Sequence, residues 1–85
     1  MNNINILVTR AQSGDLDAWR EIVQATQHMA YASALRILHN TDLAQDASQD
    51  AYLRAFRRLP ALEEPAAFLN WLRRIVITVS MVLLS

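Results

Sequence analysis

The sequence predicts an all-α fold, a compact bundle of about four helices, and three observations carry that expectation. Over half of the 85 residues are apolar, with one glycine and two prolines, so the chain can bury a core and has few breakers. The apolar positions recur at steps of three and four, the period of a helix packed on one side. Gly14, the Asn40–Thr41 pair, Pro60 and Pro65 cut the chain into helical lengths. At 85 residues there is room for a single domain, spanning 1–85, and no second core.

The elements follow in order. Residues 4–12 read as a short first helix with Ile4, Leu7, Val8 and Ala11 on one side, and Gly14 closes it. Asp15 or Asp17 starts a long second helix, from about Leu16 to His39, and its early acids suit the positive helix end. Its expected stripe is Trp19, Val23, Thr26, Ala30 and Ile37, flanked by Ile22, Met29 and Ser33 and widened by Leu16, Tyr31, Ala34 and Leu38. Asn40 or Thr41 caps the third helix. That helix, Leu43–Arg58 (LAQDASQDAYLRAFRR), has about four turns. Ala44, Ala47, Ser48, Ala51, Tyr52, Ala55, Phe56 and Leu59 make its packing face. Opposite lie Asp46, Gln49, Asp50, Leu53 and Arg57. A leucine among those polar residues serves no core of its own chain and points to a partner's helix.

Pro60 stops the third helix, and residues 59–67 form the one substantial loop. Glu64–Pro65 reads as the start of the last helix, proline at its first position. The helix should run to about Leu83, with Phe68, Leu72, Ile75 and Val79 inside and Trp71, Val76, Val82 and Leu83 beside them. Its outer face reads Asn70, Arg73 and Arg74, then Ile77, Met81 and Leu84.

Composition narrows the chemistry. With no cysteine there is no disulfide framework and no thiolate metal site, as in a reducing cytoplasm. His28 and His39, about three turns apart on one helix, cannot share a metal. Glu63 and Glu64 have no nucleophile or ligand set beside them, so capping is their expected role. Neither catalysis, nor a cofactor, nor a metal is expected. The start MNNINILVTR lacks a signal-peptide pattern. The apolar run Ile75–Leu84 is about half of what a bilayer requires, so no membrane span is expected. Formal charge is zero but uneven. Residues 1–50 hold three arginines against six acids, and residues 51–85 hold five arginines against two glutamates. Every cation is arginine, the side chain suited to bidentate contact with phosphate or carboxylate. The second half can therefore meet nucleic acid, whereas the acidic first half is a poor surface for it.

Four stretches in order carry a family resemblance: LVTRAQSGDLDAW (Leu7–Trp19), YASALRIL (Tyr31–Leu38), AQDASQDAYLRAFRRL (Ala44–Leu59) and FLNWLRRI (Phe68–Ile75). Together the chain resembles region 2 of bacterial sigma factors of the extracytoplasmic-function type. The resemblance implies a module that binds the clamp helices of RNA polymerase's largest subunit and recognises and melts the promoter −10 element, with the non-template strand as ligand. It implies polymerase docking by Asp46, Gln49, Asp50 and Leu53. It implies DNA contact by Arg57, Arg58, Asn70, Trp71, Arg73 and Arg74, with loop 59–67 and the start of the last helix supplying a pocket for an unstacked base. An anti-sigma factor is a further implied partner, and the cytoplasm the implied location.

The ending IVITVSMVLLS departs from that family. Members continue with polar and basic residues, a linker and a second, −35-reading helix-turn-helix domain, and no such domain is expected within these residues. The expectation is a truncated or frameshifted product, or a fragment of a longer protein. Its apolar strip Ile77, Met81 and Leu84 would support a homodimer through the C-terminal helix. The competing function is thus a stand-alone helical interaction module that self-associates or binds polymerase without reading DNA.

Overall fold

A computed structural model describes residues 4–85 of the chain. It contains four α-helices: α1 (Ile4–Gln12), α2 (Leu16–Leu38), α3 (Thr41–Arg58) and α4 (Phe68–Leu84). Two single 3₁₀ turns, Leu59–Ala61 and Pro65–Ala67, lie between α3 and α4. No strand occurs among the described residues. At about 1.5 Å per residue, α2 alone accounts for the longest dimension of the molecule, 35 Å. It packs on α1, α3 and α4, and α3 and α4 also pack on each other.

Each boundary has a local cause. Gly14 adopts φ +99° and lets the chain turn sharply out of α1, a conformation costly for any residue with a Cβ. Asp15 then caps α2, its Oδ1 accepting the Ala18 N–H at 3.1 Å while its Oδ2 takes Arg10 Nη2 at 2.8 Å. These two contacts, the backbone one first, hold the Asp15 carboxyl below its ordinary value of 3.8. His39 ends α2 in the left-handed region, φ 52°. Asn40 caps α3 through Oδ1, which accepts the Leu43 N–H at 3.0 Å. Glu64 accepts the Ala66 N–H and Pro65 opens a 3₁₀ turn, so the regular α-helix starts three residues later than the proline suggests.

The core is built of unequal halves. α2 buries Ala18, Ile22, Thr26, Ala30, Ala34 and Leu38, and α3 buries Ala44, Ala47, Ser48, Ala51 and Ala55. Such small side chains let helix axes approach closely. Bulk comes from α4, with Phe68, Leu72, Ile75, Val76 and Val79, and from α1, with Ile4 and Val8. The three buried hydroxyls are satisfied at home: Thr26 donates to Ile22 O, Ser48 to Ala44 O and Ser80 to Val76 O, at 2.8–2.9 Å. Since the Thr26 proton is engaged, the Tyr52 phenol is the donor in their 2.6 Å contact across α2 and α3. Burial pushes that phenol's pKa above its ordinary value.

Several expectations about packing faces need correction. Leu16 and Phe56, expected to face the interior, are exposed. On α2 the buried row is Ala18–Ile22–Thr26–Ala30–Ala34, while Trp19, Val23 and Ile37 sit at its margins, partly buried. The seam between tightly packed helices selects for small size, so the larger side chains are displaced to its edges. On α4 the core ends at Ser80, and Val82 and Leu83 are 62% and 45% exposed rather than flanking the interior. Counted from Pro65, the helical segment is long and apolar enough, by length and composition, to cross a bilayer. Its inner face, however, fills this core, and Arg73 and Arg74 sit at its middle.

Because the Asp15 pKa is lowered by folding, its contribution to stability is present above 3.8 and lost as pH falls through the folded value. Thermal melts between pH 2 and pH 6 should therefore show a shallower acid limb for Asp15→Asn, which keeps a cap but loses the Arg10 ion pair. An unchanged limb would show that Asp15 adds nothing to the acid transition.

Candidate functional site

The alanine seam fixes the rotation of α3, and with it what the helix shows to solvent. Asp46, Gln49, Leu53 and Arg57 are exposed and Asp50 half-buried. Leu53 is 58% exposed, with its side chain free of the core. It does not stand alone. With Gln49, Tyr52 and Phe56 of α3 and Leu16, Trp19 and Val23 of α2 it lines an apolar groove of about 470 Å³. Leu16 is 60% and Phe56 42% exposed, so three large apolar side chains border this groove unsealed. Trp19 forms its floor, tilted at 54° against Phe56 with centroids 5.4 Å apart and edge-on to Tyr52 and Phe68. Leu16, Trp19 and Phe56 were not among the expected site residues. The sequence spread them over two helices, and α2 was expected to turn Trp19 further inward.

The four expected docking residues thus lie on the outer surface of α3, but not in one environment. Gln49 and Leu53 lean to the groove. Asp46 is exposed and lines neither the groove nor the hollow on the opposite flank. Asp50 turns to the opposite flank, where its Oδ2 takes Arg54 Nε at 3.2 Å.

On that flank the arginines gather. Arg54 and Arg58 of α3 face Arg74 of α4 across a cleft of about 230 Å³, lined also by Trp71, Ile75, Thr78 and Val79. Three guanidinium groups, a threonine hydroxyl and the edge of a half-buried indole can hold a phosphate with a planar ring beside it. Among the described residues none of Arg57, Arg58 and Arg74 has an acidic partner at ion-pair distance, whereas Arg54 pairs with Asp50. Arg57 joins Arg54, Arg58 and Asp50 around an adjoining hollow. The structure thus brings together Arg57, Arg58, Trp71 and Arg74 and adds Arg54, which lies one turn before Arg58. Asn70 and Arg73 are set apart on the exposed side of α4, where Arg73 Nη1 donates to Asn70 Oδ1 at 3.2 Å. Trp71 packs on Phe68 at 5.8 Å, which fixes the indole at the cleft's edge.

The loop between α3 and α4 is held from a distance. Gln12, the last residue of α1, donates both amide hydrogens to the loop, one to Leu59 O at 3.1 Å and one to Leu62 O at 2.7 Å. Each such bond is worth about 1 kcal/mol net. This link could not be read from the sequence, because it joins residues 47 and 50 positions apart. A cleft of about 370 Å³ lies between α1 and this loop, lined by Asn5, Ile6, Thr9, Arg10, Glu64, Pro65 and Ala66. It holds one acid, Glu64, and one cation, Arg10, the latter already paired with Asp15.

Comparison with known proteins places this arrangement. Residues 22–80 match the family described as Sigma-70 region 2. The chain is 38% identical over 71 residues to the RNA polymerase sigma-H factor of Pseudomonas aeruginosa, covering 84% of this chain and 37% of that protein. It is 33% identical over 72 residues to the ECF RNA polymerase sigma-E factor of Escherichia coli, covering 85% of this chain and 37% of that one. It is 43% identical over 65 residues to a probable RNA polymerase sigma factor, RfaY, of Xanthomonas campestris, covering 76% of this chain but 16% of that one. The chain therefore spans a sixth to somewhat over a third of the length of these relatives. No solved structure gives a significant match. Since the family match takes in most of α2, all of α3 and α4 to the end of its buried face, the chain belongs to the sigma-70 region 2 family, as the region 2 domain of an extracytoplasmic-function sigma factor.

Proposed function

We propose that this domain is a transcription-initiation module with no chemistry of its own, docking on RNA polymerase through one flank of α3 and engaging promoter DNA through the other. The observation that carries the reading is the division of α3's surface. An apolar groove around Leu53 lies on one side and an arginine cleft around Trp71 on the other. The relatives are named as RNA polymerase sigma factors, which supports polymerase and promoter DNA as the two partners and the bacterial cytoplasm as the place of action.

In finer detail, Leu53 is the apolar anchor for the clamp helices of the polymerase's largest subunit. Asp46, Gln49 and Asp50 accept hydrogen bonds from that partner's cationic side chains. Arg57, Arg58 and Arg74 hold the backbone of the opened −10 element, Trp71 offers a stacking edge, and Asn70 and Arg73 reach bases or phosphates from the exposed side of α4. Unstacking a base costs a few kcal/mol, and stacking and charged contacts of this kind offset it. An anti-sigma factor covering the same groove would block docking.

One observation favours a second reading. Beyond Arg74 the outer face of α4 carries Ile77, Met81 and Leu84, and the last turn exposes Val82 and Leu83 as well. That apolar strip continues the exposed surface bearing Asn70 and Arg73, and a homodimer formed across it would hide them from DNA.

Fluorescence anisotropy with single-stranded −10-like DNA should show binding that weakens about tenfold in Arg58→Ala/Arg74→Ala, with the salt slope reduced by roughly 1.4. Binding unchanged in that variant would overturn the cleft as the DNA site. Leu53→Asp should abolish retention by core polymerase while leaving the melting temperature unaltered, because the side chain lies outside the core. Full retention would remove Leu53 from the docking face. Light scattering at tens of micromolar decides the second reading, which requires a dimer mass.

A further inference from the structure

Asp46, Asp50, Arg54 and Arg58 follow one another at intervals of four along α3. Because 3.6 residues complete a turn, a row at that spacing drifts around the helix. It starts on the outward face and ends in the arginine cleft, passing from acid to base at its middle. The middle is a contact: Arg54 Nε meets Asp50 Oδ2 at 3.2 Å, with the two side chains 43% and 47% exposed. A solvated pair of this kind stabilises the helix little and exchanges partners readily. Asp50 is also the one acid lining the hollow formed by Arg54, Arg57 and Arg58.

Resting on the reading of the cleft as the DNA site, we propose that Arg54 is a further phosphate-contacting residue and that Asp50 restrains it. A cationic side chain of the docked polymerase and the Arg54 guanidinium compete for the same carboxylate. Docking on the outward face therefore releases Arg54 toward the nucleic-acid backbone. By linkage, DNA that draws Arg54 away leaves Asp50 free for the polymerase, so each partner strengthens the other. The coupling is small, since it cannot exceed the strength of the exposed pair.

The test is a double-mutant cycle on the chain itself, reading anisotropy of a labelled single-stranded −10-like oligonucleotide at low ionic strength, where the pair is least screened. Asp50→Asn should bind about two- to fivefold more tightly than the wild type. Arg54→Ala should bind more weakly, and Arg54→Ala/Asp50→Asn should equal Arg54→Ala. Asp42→Asn removes the same charge two turns up α3 and should leave the affinity unchanged. The inference is overturned if Asp50→Asn binds no tighter, if its gain survives on the Arg54→Ala background, or if Asp42→Asn gives the same gain. Binding that depends on Arg58 and Arg74 but ignores Asp50 would sink this coupling alone, whereas binding indifferent to Arg58 and Arg74 would sink the cleft assignment with it.

Discussion

The close packing of α2 and α3, both of which bury mainly alanines, is the constraint on which this molecule depends. Ala30 and Ala34 on one helix and Ala44, Ala47, Ala51 and Ala55 on the other are fully buried. Side chains that small let the two helices meet along their length and leave each little freedom to rotate. The hydrogen bond from Tyr52 to Thr26 crosses the same seam and resists sliding of one helix past the other. With its inner face committed, α3 has one orientation left, and its remaining surface is assigned: Leu53 to the groove beside Trp19, and the arginines toward α4.

The bulk that alanines do not supply comes from α4, and this gives that helix two characters. Phe68 and Leu72 fill the interior beneath α2 and α3, each such side chain contributing about 2 kcal/mol by its removal from water. The same packing holds Trp71 and Arg74 against the flank of α3, so the cleft is formed by core packing rather than by any attraction among its charges. Three guanidinium groups repel one another, and in water that repulsion is weak enough for the buried face to overcome. A phosphate entering the cleft would relieve it. Past Arg74 the outer face turns apolar, and the helix carries a sticky end beside a charged one.

The loop between α3 and α4 shows how a distant residue can set the site's boundary. Gln12 terminates α1 and ties the first 3₁₀ turn through the carbonyls of Leu59 and Leu62. The position of α1, fixed by Ile4, Val8 and Ala11 in the core, is thereby transmitted to the segment that joins the two arginine-bearing helices.

The sequence by itself determined the helices and the outward residues of α3, and narrowed each cap of α2 and α3 to two nearby candidates, of which the structure uses Asp15 and Asn40. Each of these depends on neighbours within four positions: Asp15 and Asn40 cap the turns that follow them, and Leu53 shows itself by lying among Asp46, Gln49, Asp50 and Arg57. It also carried the family, through short stretches in a fixed order. What it did not contain was the relation between helices. Hydrophobic periodicity weighs side chains by polarity, and so favoured Trp19, Val23 and Ile37 for the α2 stripe, while the actual seam selects for smallness and rotates them to its edge. Only the tertiary structure decided that Arg54 and Arg58 meet Trp71 and Arg74 in one cleft, and that Arg73 stays outside it. Those outcomes depend on how far α4 is turned against α3, and packing volume, which no local pattern encodes, sets that angle.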